Sequence, residues 1–228
     1  MTDNESDLRQ WRLPRGRHGL PRELVTRSQR ERLLAAVVRV TASNGYESTS
    51  VADILEEAGV GRESFYELFE DKKDCLLAAR TILVDDLGAT VAAAYGEAEP
   101  WPDRVRDALA AMLGWFAADP AATKVIFLEF AAIGLASREL FRADFARFTK
   151  LMDDGLEQAD PVPGLAHVTE LAIGAALARV HEEVVRGRTE ELPQLLPELT
   201  YELLVPFVGE ERAAAERGRA EKRAAAAE

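Results

Sequence analysis

The sequence predicts an all-α fold in two parts, a three-helix unit near the start and a larger helical bundle behind it. Three observations carry that expectation. No stretch alternates apolar and polar side chains with the two-residue period of a strand. The β-branched residues are scattered among alanines and leucines instead of clustering between turns. Glycine, proline and aspartate breaks recur at spacings that suit bundle helices of roughly 15 to 24 residues. A chain of 228 residues is long enough for a small domain joined to a larger one, or for one large domain. The expected division is a flexible basic arm over 1–20, a three-helix unit over 21–75, a bundle over 76–208, and a frayed or disordered tail over 209–228.

Pro21 suits the first turn of a helix, and Leu24, Leu34, Val37, Val38 and Thr41 recur at helical spacing until "NGY" stops the run. Ser50 with Asp53 three residues on reads as a cap opening a short second helix that Gly59 ends. After "GVG" a third, also short, runs from Arg62 to about Phe69. Asp71 and Asp74 cap a fourth and much longer helix, "KKDCLLAARTILVDDLGATVAAAY". Breaks at "GEAEPWP", "ADP", "GLAS", "ADPVPG" and "RGRTEELP" then enclose five further helical segments. The end, "GEERAAAERGRAEKRAAAAE", is low in complexity, has no large apolar face and is interrupted by Gly218, hence the expectation of a frayed tail.

The formal net charge is −12, but it is unevenly placed. Residues 8 to 32 carry eight arginines against Glu23 and Glu31, whereas residues 33 to 228 hold 20 basic and 35 acidic side chains. Two readings fit this segregation: a first segment that meets a polyanion, or a solvated basic tail. The single cysteine, Cys75, cannot form an intramolecular disulfide, and "MTDNESD" lacks the layout of a secretion signal, so a cytoplasmic protein is expected. No apolar or glycine run, Leu171 to Ala178 among them, comes near the ~18 to 20 residues that cross a bilayer.

Two short helices joined by a tight glycine turn cannot bury much surface alone. Ile54, Leu55, Val60, Phe65 and Phe69 should therefore pack on the first helix, which is helix-turn-helix geometry. The second short helix of such a unit lies in the major groove, and here its outward residues are Arg62, Glu63, Ser64 and Glu67. The stretch "GYESTSVADILEEAGVGRESFYELFEDKKDCLLAA" resembles the TetR family of bacterial transcriptional repressors, which shows Thr/Ser-Val-x-x-Ile, Ala-Gly-Val-Ser, Phe-Tyr or Leu-Tyr, then Phe and Lys. The match covers about the first third of the chain. It departs from the family at Glu63, where a glycine is frequent, and at Leu68, where a histidine or tyrosine is.

The resemblance implies a two-domain homodimer that binds a palindromic double-stranded operator and releases it when a small-molecule effector enters the bundle. By position it implies phosphate contacts from Thr49, Ser50, Tyr66 and Lys72, with base discrimination left to Arg62, Glu63, Ser64 and Glu67. Residues 61 to 74 are themselves net −2, so Arg12, Arg15, Arg17 and Arg22 are expected along the DNA backbone or in a minor groove.

Aromatics concentrate between Trp101 and Met152. Met112, Trp115, Phe116, Phe127, Phe130 and Phe148 are the candidates for a ligand cavity, with Glu129 as the foremost polar group and Arg179 and His181 behind it. For Glu129, solvent or an arginine partner is the competing reading. Small residues in "TELAIGAALARVHEEVV" and the leucines from Leu192 to Leu204 fit a four-helix dimer interface, as the resemblance implies, closure of the monomer's own core, or both together. His18, His167 and His181 form no metal-ligand spacing, and there is no phosphate-cradling glycine loop and no G-x-S-x-G elbow, so neither an enzyme nor a cofactor is expected. The rival expectation is an all-α small-molecule-binding or interaction protein whose helix-turn-helix no longer grips DNA.

Overall fold

The structure, a computed structural model, describes residues 21–96, 100–156 and 167–226. Helices α1 (Arg22–Asn44), α2 (Val51–Ala58), α3 (Arg62–Leu68) and α4 (Lys72–Tyr95) follow the order and bounds that the sequence suggests, and no strand occurs among the described residues. Leu33, Val37, Ile54, Phe65, Cys75 and Leu76 close a small core in which α2 and α3 pack on α1 and the start of α4. Further along, α4 changes core: Leu87, Val91 and Tyr95 belong to the bundle. One rigid helix thus runs from the small domain into the large one.

The bundle continues with α5 (Trp101–Ala118), which Pro102 starts as an N-terminal-turn proline. Asp119 then caps α6 (Pro120–Lys124), its carboxylate accepting the Ala122 N–H at 2.9 Å. The chain does not stay α-helical. A π-helical turn (Val125–Glu129) and a 3₁₀ run (Phe130–Ile133) lead to Gly134, whose φ of 91° lets the chain break there. Then come α7 (Leu135–Leu156), α8 (Val168–Val185), a 3₁₀ segment (Thr189–Leu195), α9 (Leu196–Val208) and α10 (Glu210–Ala226).

One expectation is corrected, and of two open readings one is observed. The frayed tail is a helix, α10, folded back on α9 and α5, with Ala213 and Ala220 fully buried and Glu216 4% exposed. Its inward stripe of Ala213, Glu216 and Ala220 is small enough for close approach, and charge holds it down. Glu216 accepts from Arg106 at 2.8 Å, and Arg223 binds Asp107. A stripe of alanines carries almost no hydrophobic signal, so the pattern was not visible as an apolar face. Second, Leu192, Leu196, Leu199 and Leu204 are consumed by the protein's own bundle core. The outward stripe is instead on α8, where Leu171 and Val185 are 65% and 59% exposed, with Ala175 and Ala178 exposed between them. Among the described residues no helix is long and apolar enough to cross a membrane.

Candidate functional site

The helix-turn-helix is built by caps and one tether. Ser50 and Asp53 form a reciprocal capping box at the start of α2, the Asp53 carboxylate accepting the Ser50 N–H at 2.8 Å and the Ser50 Oγ accepting the Asp53 N–H at 3.2 Å. The Ser50 hydroxyl, which donates to the same carboxylate at 2.7 Å, and then the Ser50 N–H hold the Asp53 carboxyl below its ordinary range. Gly59 ends α2 in the left-handed region (φ 59°). Arg32 of α1 donates to the carbonyls of Ala58 and Gly59, the latter at 2.7 Å, and a Cβ at Gly59 would come within 2.7 Å of that guanidinium. The left-handed conformation therefore favours glycine there, while the guanidinium, the far end of a flexible side chain, could shift to make room.

Helix α3 is anchored by Phe65, fully buried, with Phe69 just beyond its end. That anchoring turns Arg62, Glu63, Tyr66 and Glu67 outward on one face, all exposed, as the i, i+1, i+4, i+5 spacing dictates. The Tyr66 ring lies edge-on to Phe65 and is 52% exposed. Ser64 is half-buried and accepts from Gln29 of α1 at 3.3 Å. Glu67 has Arg22 at 3.9 Å, an exposed pair too weak to occupy either group.

Three residues expected at phosphates have structural partners. Lys72 Nζ donates to the carbonyls of Thr49 (2.7 Å), Tyr46 (2.8 Å) and Glu47 (3.4 Å) and stands 4.5 Å over the Tyr46 ring. An ammonium has three protons, so each phosphate contact would cost one of these bonds. Thr49 is buried and donates to the Gly45 carbonyl at 2.8 Å, and Ser50, though exposed, is committed to its cap. Arg12, Arg15 and Arg17 lie outside the described residues. Arg22, expected at the DNA backbone, begins a ridge on α1 beside α3 whose other members, Thr26, Arg27 and Arg30, sequence reasoning did not single out; Arg27 and Arg30 are exposed, and Arg22, Thr26 and Arg30 line up at one-turn spacing. That periodicity was the available signal.

In the bundle, α4, α5, the segment after α6, α7 and α8 enclose a cavity of about 690 Å³. Met112, Phe116, Phe127, Phe130, Phe148 and His181 line it. His181 is an exposed residue at the wall, its ring 6.4 Å from that of Phe127. Three candidates point elsewhere. Trp115 Nε1 donates to Asp86 at 2.7 Å. Arg179 binds Glu183 on its own helix and approaches Glu198 at 3.5 Å. Glu129 accepts the backbone N–H of Tyr46 at 2.8 Å, because the π turn brings its carboxylate to the small-domain side, where it meets a donor. The lining includes four charged residues that sequence reading passed over: Arg80, Arg138, Arg142 and Asp144. Arg80, 4% exposed, binds Asp144 and lies 4.5 Å over the Phe130 ring. Its signal was an arginine inside the apolar run "LLAARTILV".

Residues 33–79 match the family model described as bacterial regulatory proteins, tetR family. Over 52 residues the chain is 38% identical to an HTH-type transcriptional regulator in the lacX 3′ region of Lactococcus lactis subsp. lactis, a match spanning 23% of this chain and only 26% of that relative. The fold is similar to that of the fatty acid degradation regulator FadR from Bacillus halodurans, at 20% identity over 77% of this chain and 94% of that one, with a TM-score of 0.70. It is similar also to FadR from Bacillus subtilis in complex with stearoyl-CoA, at 19% identity over 78% and 98% of the two chains, with a TM-score of 0.69. Those matched residues, 33–79, are similar to the family's helix-turn-helix unit and here form the unit that exposes α3, and most of the remaining chain shares the all-helical fold of the solved regulators.

Proposed function

We propose that the protein is a ligand-responsive transcriptional regulator of the cytoplasm, a repressor that binds a palindromic operator as a homodimer and releases it when a small molecule fills the bundle cavity. The observation that carries this reading is the α3 face. Phe65 and Phe69 hold the helix from beneath, and Arg62, Glu63, Tyr66 and Glu67 stand free above it. Arginine reads guanine O6 and N7 in the major groove, and a carboxylate accepts from cytosine N4, so Arg62, Glu63 and Glu67 suit base edges, with Ser64 at their margin. Tyr66, together with Arg22, Arg27 and Arg30 on α1 and Arg15 and Arg17 of the arm, supplies phosphate contacts that position the head. The apolar stripe of Leu171, Ala175, Ala178 and Val185 on α8 supports pairing with a second copy, which would set two heads on half-sites about one turn apart. The large cavity, and the stearoyl-CoA complex of a relative with this fold, support a small-molecule effector.

Selection of bound duplexes from a random pool, followed by gel shifts with R62A and E63A, tests the reading. An inverted repeat should emerge, and each substitution should relax one base position at a cost of ~1–3 kcal/mol. A second reading, a small-molecule binder that has lost DNA, is favoured by the net −2 of residues 61 to 74. A verified dimer that ignores every duplex at low salt would decide for it.

A further inference from the structure

The cavity is charged at one end and apolar at the other. On α4 its lining runs from Arg80 to Tyr95, and on α7 from Ser137 to Met152. Each stretch is fifteen helical steps from end to end, about 22 Å at the helical rise of ~1.5 Å per residue. The two helices run the same way there, since Arg80 meets Asp144 and, further along both, Asp85 meets Arg147 at 3.1 Å. Arg80, Arg138, Arg142 and Asp144 therefore gather at the end nearer the small domain, while the far end is closed by groups such as Val105, Met152 and Leu203.

The charges at that end are not balanced. Arg80 is matched by Asp144. Arg138 and Arg142, one turn apart on α7 and both exposed, have no ion-pair partner among the described residues. Phe141 between them is 55% exposed and stacks on Phe145, whose ring is 6.1 Å away. Three arginines against one aspartate leave this end at +2 in a chain of net charge −12. Two neighbouring guanidiniums at the rim of an apolar bore are matched to an anion that stays wet while its hydrocarbon is buried.

We propose that the cavity takes one long-chain amphiphile with an anionic head, the head held by Arg138 and Arg142 and the chain laid along α4 toward Tyr95. This rests on reading the bundle as the effector-binding domain. A bore of about 22 Å holds an extended chain of roughly 14 to 18 carbons at ~1.3 Å per carbon. Each methylene buried is worth about a fourfold gain in affinity, so chain length sets strength. The arginine pair sets polarity and direction. A carboxylate and a phosphate-bearing head, such as that of an acyl thioester of coenzyme A, share this chemistry.

The test is displacement of 1-aminoanthracene, an uncharged fluorescent probe, from the full-length protein in the absence of DNA. Palmitate, palmitoyl-CoA, hexadecanol and octanoate are the competitors. Palmitate or palmitoyl-CoA should displace the probe at concentrations at least tenfold below octanoate, and the stronger of the two identifies the head. The R138A/R142A variant, changed only at exposed positions, should lose at least tenfold toward the anionic competitors and nothing toward hexadecanol. Equal losses for charged and uncharged heads, no loss at all, or octanoate matching palmitate would overturn the proposal. Displacement without any effect on a DNA complex would sink the regulatory reading and leave this one standing. Release of DNA by some other small molecule, with palmitate and palmitoyl-CoA inert, would do the reverse.

Discussion

The Tyr46 backbone N–H donates to the Glu129 carboxylate at 2.8 Å, tying the turn after α1 to the irregular wall of the cavity. A second tie lies beside it, where Lys124 Nζ donates to the Ala42 carbonyl at 2.5 Å. Between these two residues the chain makes its π turn, and Ile126, Phe127 and Phe130 of the same short stretch line the cavity. One face of the segment thus borders the cavity and the other holds the helix-turn-helix.

Glu129→Ala should therefore uncouple the two sites. DNA affinity and ligand affinity measured separately should stay within about twofold of wild type, while the ligand's effect on DNA affinity should fall by ~5–10-fold or more. Glu129→Gln keeps an acceptor oxygen for the Tyr46 N–H and should retain most of the effect. Fluorescence anisotropy of a labelled operator, with and without ligand, checks this. An alanine variant released as readily as wild type would place the coupling elsewhere, with α4 as the alternative path.

Deleting residues 1 to 18 removes four arginines, Arg9, Arg12, Arg15 and Arg17. Since every phosphate neutralised contributes ~0.9 to the slope of log affinity against log salt, the slope should flatten by several units. The α1 ridge of Arg22, Arg27 and Arg30 remains in that variant and should preserve a smaller slope. An unchanged slope would leave the arm without a role in binding.

The small domain was legible because its signals are local and strong: Ser50 with Asp53, Gly59, and Phe65 and Phe69 on one side of a seven-residue helix. The cavity was legible only as composition. Six of the nine candidates do line it, whereas Trp115 turns to Asp86 and Arg179 to Glu183; Glu129 turns away because a π turn shifts which side chains share a face and leaves no mark in a 3.6-residue pattern. Lys72 could be placed from sequence but its three carbonyl partners could not, since they come from a turn 23 to 26 residues earlier. Helix α10 was missed because alanine stripes and long-range ion pairs such as Arg106 with Glu216, 110 residues apart, have no periodic signature.

That last pair gives a stability prediction. Glu216 is nearly buried and also accepts from Arg219 at 2.7 Å, while Arg106 keeps Asp103 as a second partner. Glu216→Ala should destabilise the protein by ~1–3 kcal/mol, the cost of leaving a desolvated cation short of one partner, with loosening of α10 first. Hydrogen exchange across 210–226 should rise before any change in the small domain. Unchanged protection there would mean that the alanine packing alone holds the helix.

Glu183 is gripped from three sides at the end of α8. Arg179 hydrogen-bonds it, Arg188 donates to it at 2.5 Å, and Arg186 stands at 3.4 Å. The Arg179 hydrogen bond, then Arg188, hold its carboxyl below the ordinary carboxylate range. A group lowered on folding contributes stability that is complete above its unfolded value, about 4.3, and disappears as pH falls through the lower folded one. Glu183→Gln should accordingly melt below wild type at pH 7, and the gap should close as the pH is taken down through 4. Equal melting temperatures at pH 7 would show that the three arginines gain nothing from the charge.

Cys75 supplies a reporter for the small domain alone. It is fully buried where α4 meets α1, with Sγ 3.9 Å from the Leu33 carbonyl, and burial, helped by the neighbouring Asp74 charge, pushes its thiol up to about 12. At pH 8 only about one part in ten thousand is thiolate, the reactive form, and no path reaches it through Leu33 and Leu76. Thiol reagents should therefore label the native protein only when this core opens, with a rate that follows local unfolding. Phe65→Ala, which removes a fully buried ring from the same core, should speed labelling by orders of magnitude while the bundle remains folded, consistent with a cost of ~3–5 kcal/mol. Operator DNA, by holding α3 in place, should slow it again. Labelling of the wild type at the rate of a free thiol would contradict the packing on which the exposure of the α3 face depends.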